Sequence, residues 1–363
     1  MVQASNERQA DSGRVDTVMS TIGINGFGRI GRTATRVWMS KGMPAPLGLI
    51  NTSGSMDIDG WVHLLKYDSN YGPLHQEISY QKVQDAKAAT PENPLIGYII
   101  IGQTRVPVTA GRDPAKIPWA QYGVETVIES TGAFTAKDKA ELHLQGGAKR
   151  VIITAPAKGD GVDMSVLSVK DYDPASTVVS NASCTTNCVG PIIKVLHEAF
   201  GLEKALLNTV HSYTGDQNLQ DNSHTDLRRV RSAAMNIVPT STGAAKAVGT
   251  IYPPVAGKFD GVAIRVPTRT GSLSDIVFVA SREVSIEQVN QALTAAAASE
   301  QYRGIIKVTR DPIVSSDIIG LNYSSIVDLT LTNVVGGNLV RVVAWYDNEW
   351  GYCNRLVEQA IKY

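Results

Sequence analysis

Three cysteines in 363 residues are few, and odd in number, which argues against a disulfide framework and for a reducing, cytoplasmic setting. An excess of charge of either sign is missing: 34 Lys and Arg balance 34 Asp and Glu. No overall field therefore favours nucleic acid or an acidic membrane, and an RNA-binding or surface-adhesin role gains little support. Apolar runs long enough to cross a bilayer are absent from the sequence. So are internal repeats and low-complexity linkers. The first twenty residues lack an apolar core and mix Glu7, Asp11 and Asp16 with Arg8 and Arg14. Residues 1–17 read as a polar tail, and their acids argue against a transit peptide. What is present, 43% hydrophobic and 19% charged residues over this length, suits two globular domains.

The first half alternates strands and helices. A strand over Val18–Ile24 runs into Gly26, Gly28 and Gly31, and a helix continues from Thr33 to Met39. Strand, G-x-G-x-x-G and helix in that order are the context a dinucleotide fingerprint requires; the plain alternative is a tight turn. Gly26 permits the turn, Gly28 lets backbone approach a pyrophosphate, and Gly31 allows close helix–strand packing. The pyrophosphate would lie at the helix N-terminus. Further strands are expected at Pro46–Ile50, Val124–Glu129 and Lys149–Thr154, with helices at Trp61–Tyr67 and Ala136–Leu144. Glu77–Ala110 reads as a β-rich insertion whose Gln84–Pro94 tract is a surface loop.

The pattern changes near Ser183-Cys184-Thr185-Thr186-Asn187-Cys188. Beyond it, strands at Ala205–Thr214, Gly261–Pro267, Leu273–Ser281, Ser325–Thr332 and Leu339–Tyr346 flank one clear helix, Ser285–Ala298. The fold class expected is α/β: a Rossmann-type dinucleotide-binding domain plus an α+β catalytic domain with a mainly antiparallel sheet. The first comprises residues 18–183 and 348–363, the second residues 184–347.

A buried strand ending at Val179 precedes Cys184, and helical spacing follows it to Phe200. Ser183 is then a plausible N-cap, and Cys184 stands in the first turn. Free N–H groups and the helix dipole there favour a thiolate and lower its pKa. The same donors would meet an oxyanion formed on the substrate. The plainer readings are a buried structural cysteine or a redox pair with Cys188; two cysteines alone make no metal site. Pro191 predicts a kink or a late helical start. His211, at a strand end, is a candidate base for the thiol, against the common case of a structural histidine. Thr242-Gly243 enters a helix in a turn suited to phosphate, and Arg265 sits in an apolar strand where it needs a phosphate or an internal ion-pair partner. Arg228, Arg229 and Arg231 in the 215–236 loop read as an interface rather than a nucleic-acid patch.

Ser-Cys-Thr-Thr-Asn-Cys followed by His211-Ser212-Tyr213-Thr214 resembles the phosphorylating glyceraldehyde-3-phosphate dehydrogenases, and the resemblance spans Thr21 to the C-terminus. It implies Cys184 as nucleophile and His211 as base. It assigns Ser183, Thr185, Thr242 and Gly243 to one phosphate position and Thr214 and Arg265 to the other. Gly26, Gly28, Arg29, Ile30, Gly31, Thr52, Arg112, Thr154 and Asn348 become cofactor contacts, with Arg112 on the adenine side, where a solvated turn is the alternative, and Thr154 beside the nicotinamide. The substrates implied are glyceraldehyde 3-phosphate and inorganic phosphate, and the assembly a homotetramer using the 215–236 loop. By the same resemblance, the final helix, expected at Tyr352–Ile361, returns to the first domain.

Thr52 stands where this family usually has Asp, and Asn222-Ser223 where NAD-specific relatives commonly carry Pro. The resemblance therefore implies NAD, with NADP accepted as well, although no Arg or Lys is next to Thr52 in sequence. Thr268-Arg269-Thr270-Gly271-Ser272 is a second departure, where many relatives have Asn-Val-Ser. Erythrose-4-phosphate dehydrogenase is the close alternative; it shares the Cys/His pair but releases its thioester to water.

Overall fold

The computed structural model describes residues 20–363. The expected polar tail, and Val18 and Met19 of the expected first strand, lie outside the described residues. Ile22–Asn25 is the central strand of the first sheet, parallel to Leu47–Thr52 on one side and Thr126–Glu129 on the other. Parallel strands Arg150–Ile153, Val178–Ser180 and Asp163–Met164 continue outward from Thr126–Glu129. Beyond Leu47–Thr52, Thr104–Ala110 begins an antiparallel extension through Leu95–Ile101 to Ile78–Lys82, the β-rich insertion. The Ile22–Asn25 and Thr126–Glu129 strands are buried throughout, as strands covered on both faces must be.

Helix Arg29–Ser40 packs against the final helix, Trp350–Lys362, which has returned to the first core as expected. Tyr352, Cys353, Leu356, Val357 and Ala360 join Ile22, Ile24 and Val37 there. The expected helix over Ala136–Leu144 is instead two short pieces, Lys137–Ala140 and Leu142–Gln145. His143, on the second piece, turns under the sheet to meet Glu129.

The second sheet runs, in spatial order, Val238–Ser241, Phe259–Val266, Leu202–Ser212, Ser272–Ala280, Leu339–Tyr346, Ser325–Asp328 and Ile306–Thr309, with Asn333–Val335 also paired to Leu339–Tyr346. Most pairings are antiparallel, but Leu202–Ser212 runs parallel to Phe259–Val266 and Ile306–Thr309 to Ser325–Asp328. Burial alternates residue by residue along Ser272–Ala280, so one face is covered and the other is open. Helices Cys184–Phe200, Ala244–Ile251 and Ile286–Ala298 cover it. Ala244–Ile251 is the helix expected to follow the Thr242-Gly243 turn. Among the described residues no helix is long and apolar enough to cross a membrane.

Candidate active site

Three residues join the strand Val178–Ser180 to the helix Cys184–Phe200. Buried Ala182 takes φ 54°, a left-handed conformation that a residue with a Cβ rarely adopts. Asn187 spans it, its Nδ2 donating to Asn181 O at 2.8 Å and to Ser183 O at 3.0 Å. Ser183 is the N-cap, with Oγ accepting from the Thr186 N–H at 3.0 Å. Cys184 is thus the first helical residue, and its own N–H has no carbonyl partner within the helix. The helix then passes through Pro191 without a late start.

His211 comes from the end of the long strand Leu202–Ser212, and its Nε2 lies 3.4 Å from Cys184 Sγ. On the far side of the ring, Nδ1 is 2.7 Å from the Ser212 carbonyl oxygen. A carbonyl only accepts, so Nδ1 carries a proton, and Nε2 is the ring nitrogen turned to the thiol. Tyr346 meets the ring edge-on at 5.9 Å, and its hydroxyl lies 2.9 Å from both Thr185 Oγ1 and Thr209 Oγ1. Nothing in the sequence pattern singles out Tyr346.

Burial, reinforced by the Arg265 cation, lowers His211 from 6.5 to about 4. Cys184 is half-buried as a residue, but its thiol faces the buried His211. Burial pushes the thiol upward, while Arg265 and bonds to Thr185 pull the other way. The direction is opposite to the lowering expected from the helix start, and burial is its largest cause.

A cavity of about 310 Å³ opens at this pair, lined by Ser183, Thr185, Thr242, Gly243, Arg265 and Arg229 among others. Gly243 caps helix Ala244–Ile251, and Thr242 Oγ1 accepts from the Ala244 N–H at 3.2 Å. Arg265 donates to Thr214 Oγ1, and its Nη1 is 3.8 Å from Asp216. Its buried Nε has no hydrogen-bond partner among the described residues. The ion pair is therefore real but long, and it leaves donor capacity free. Arg229 is a second cation here, pairing with Asp216 at 2.6 Å, so the 215–236 loop contributes to the cavity as well as to the surface. Thr185 keeps its place, though its hydroxyl is held by Tyr346.

The second hollow, about 350 Å³, lies at the C-terminal ends of the parallel strands, where an open α/β sheet receives ligands. Gly26, Gly28, Thr52, Arg112, Thr131 and Phe134 help line it. Gly26 has φ 90°, and a Cβ there would lie 2.7 Å from Thr131. A Cβ on Gly31 would collide with the Gly26 carbonyl. One on Gly28 would meet nothing within 4 Å, so backbone stands open to a ligand beside a helix N-terminus. These residues fit a dinucleotide. An adjoining hollow of about 290 Å³ gathers Ser53, Gly54, Arg112 and Lys116, cations that sequence distance from Thr52 had concealed.

Four expected cofactor contacts need adjustment. The Arg29 guanidinium is held by Asp68 and by Glu349, the latter at 2.6 Å, which leaves its backbone N–H, with that of Ile30, at the helix start. Thr52 lies inside its strand, 1% exposed, donating to Thr109 O at 3.1 Å. Thr154 is half-buried just past its strand, its N–H bound to Glu129 O. Asn348 is buried, its Oδ1 accepting from Ser212 Oγ at 2.9 Å and from the Gly271 N–H at 3.1 Å. Neither Thr154 nor Asn348 is among the residues lining these hollows.

Two family models match the chain. The NAD binding domain of glyceraldehyde 3-phosphate dehydrogenase covers residues 20–137, and the C-terminal domain covers residues 183–348. Glyceraldehyde-3-phosphate dehydrogenase 1 of Streptomyces avermitilis is 49% identical over 343 residues, 94% of this chain and 97% of the relative. The enzyme of Mycolicibacterium smegmatis is 46% identical over 93% of this chain and 96% of its own length. Chloroplastic glyceraldehyde-3-phosphate dehydrogenase A of Zea mays is 45% identical over 93% of this chain and 81% of its own.

Proposed function

The chain belongs to the glyceraldehyde 3-phosphate dehydrogenase family, and from that premise we propose how its residues divide the work. The reaction is the oxidative phosphorylation of glyceraldehyde 3-phosphate with NAD(P) and inorganic phosphate. The observation that carries the residue assignment is the 3.4 Å contact between Cys184 Sγ and His211 Nε2, with the other ring nitrogen held on the Ser212 carbonyl oxygen.

His211 Nε2 takes the thiol proton as Sγ bonds to the aldehyde carbon, and returns it to the new oxyanion. The Cys184 backbone N–H donates to that oxygen meanwhile. When bound, the nicotinamide would supply the hydride acceptor for the carbon of this thiohemiacetal. Nε2 removes the hydroxyl proton in the same step, and a thioester on Sγ remains. A phosphate oxygen then attacks the acyl carbon and Sγ departs as thiolate, giving the acyl phosphate. Ser183, Thr242, Gly243 and the Thr185 backbone would hold the attacking phosphate. Arg265 with Thr214 would hold the substrate's own phosphate, for which the unpartnered Arg265 Nε leaves a donor. That phosphate site favours phosphorolysis over hydrolysis of the thioester.

Gly26, Gly28 and Gly31 with the Arg29 and Ile30 N–H groups would carry the cofactor pyrophosphate, Arg112 the adenine end, and Thr154 and Asn348 the nicotinamide end. Domain boundaries at 183/184 and 347/348 are part of this reading. So is a cytoplasmic homotetramer, supported by Leu227, Met235, Leu219 and Ile237, which are 82, 80, 71 and 70% exposed in and beside the 215–236 loop.

Cys184→Ser tests the assignment. It should abolish aldehyde oxidation and leave dinucleotide binding intact, while Cys188→Ser keeps most activity. Equal losses in the two variants would move the nucleophile elsewhere.

A further inference from the structure

One row across the centre of the first sheet is polar on four adjacent strands. Asn25 is in register with Asn51 on one neighbour and Glu129 on the other, and Asn51 is in register with Thr109. All four are buried, Glu129 with 1% exposure. Their hydrogen bonds share one direction. Thr109 Oγ1 donates to Asn51 Oδ1 at 3.0 Å, Asn51 Nδ2 to Asn25 Oδ1 at 2.8 Å, and Asn25 Nδ2 to Glu129 Oε2 at 2.6 Å.

A second chain arrives from the opposite side. Trp119 Nε1, which can only donate, lies 3.1 Å from His143 Nδ1. That nitrogen must be bare, so the proton of this fully buried imidazole is on Nε2, and Nε2 donates to Glu129 Oε2 at 3.0 Å. The remaining oxygen, Oε1, accepts from the Thr131 N–H at 2.8 Å and from the Thr131 hydroxyl. Among the described residues, four donors and no cation converge on one carboxylate, an arrangement suited to an acceptor-only group. Because His143 accepts at Nδ1, it is neutral and supplies no cation.

Asn25, Asn51 and Thr131 all line the dinucleotide hollow. Ser130, between Glu129 and Thr131, donates to the carbonyl of Gly26 at 2.7 Å, tying the same turn to the glycine loop. We propose that Glu129 is a positioning residue for the cofactor: it is the common acceptor that fixes the Asn25 and Thr131 walls of the hollow, with His143 and Trp119 fixing Glu129 in turn. The proposal rests on the reading of this hollow as the dinucleotide site. Glu129 touches neither substrate nor thiol, so it acts on cofactor affinity and not on the chemistry at Cys184.

Glu129→Gln keeps the shape but turns an NH₂ toward groups that also donate. Its KM for NAD should rise about tenfold or more, with kcat at saturating NAD within about threefold of wild type. The aldehyde KM and the rate of Cys184 alkylation without cofactor should be unchanged. His143→Gln retains a donor and should raise the NAD KM less than His143→Leu, a graded response that general loosening would not produce. An unchanged NAD KM in Glu129→Gln would overturn the proposal, as would equal losses in kcat and both KM values. If Glu129→Gln does not fold, an NAD KM in His143→Leu equal to wild type would overturn it. A wild type not saturated by NAD would refute the cofactor reading itself.

Discussion

At His211 burial and the nearby Arg265 cation act in the same direction, and the consequence is measurable in stability as well as rate. The unfolded chain protonates this residue near 6.5, whereas the folded chain resists until about 4. Above 6.5 both states are neutral and His211 has no effect on stability. Between the two values only the unfolded chain gains the proton, so stability falls as pH falls; below 4 the loss is constant. The interval corresponds to about 3 kcal/mol. His211→Asn should flatten that acid-side decline in urea midpoints measured from pH 7 to 4, and a decline equal to wild type would place the titrating group elsewhere. The same variant should lose roughly 10²–10⁴-fold in rate, the usual worth of a general base, and should slow Cys184 alkylation at neutral pH. Cys184 and His211 were legible because a thiol nucleophile needs a base and few residue types can serve. Ala182 at φ 54° was not, since alanine gives no sign of a left-handed backbone. Arg229 was legible as a charge but not as a group turned inward, because its ion pair with Asp216 depends on how a long loop folds back.

At the scale of elements, helix Cys184–Phe200 was readable from its cap and its apolar spacing, and Ser183 does cap it. The cap role separates from phosphate binding by comparing two variants. Ser183→Ala should lower stability by about 1 kcal/mol, while Ser183→Gly should cost only a few tenths, since glycine is tolerated at an N-cap. Both should raise the KM for inorganic phosphate to a similar extent. Equal stability losses would mean that the hydroxyl acts through something other than the cap. The strand Leu47–Thr52 extends two residues past its expected end, so Thr52 belongs to the sheet and its hydroxyl turns to Thr109. The end of that strand carries no acid to repel a 2′-phosphate, and Arg112 and Lys116 share a hollow with Ser53. NADP should be accepted within roughly tenfold of NAD in kcat/KM, about 1.4 kcal/mol. Thr52→Asp should widen the gap by raising the NADP KM; a wild type that rejects NADP a thousandfold would locate discrimination away from this strand end. The helix expected over Ala136–Leu144 is interrupted at Glu141, and His143 beyond it makes a buried contact with Glu129 that no surface periodicity reports.

For the whole molecule, two sheets with separate cores were visible in the change from alternating strands and helices to long strands past Cys184. Parallel pairing of Leu202–Ser212 with Phe259–Val266 was not, because period-two burial looks the same whichever way a neighbour runs. That pairing sets His211 opposite Arg265 in register, and both line the cavity proposed as the catalytic one. The final helix closes the arrangement, with Arg29 of the glycine-loop helix paired to Glu349, next to the Asn348 that holds Ser212. A thioester on Cys184 that phosphate releases is tested most directly by NADH formation from glyceraldehyde 3-phosphate with inorganic phosphate withheld and then added. Without phosphate the account predicts a burst of about one NADH per Cys184, with the acyl group found on that residue by mass. Sustained turnover should begin only when phosphate is supplied. Continued turnover without phosphate, at a rate that added phosphate leaves unchanged, would contradict it.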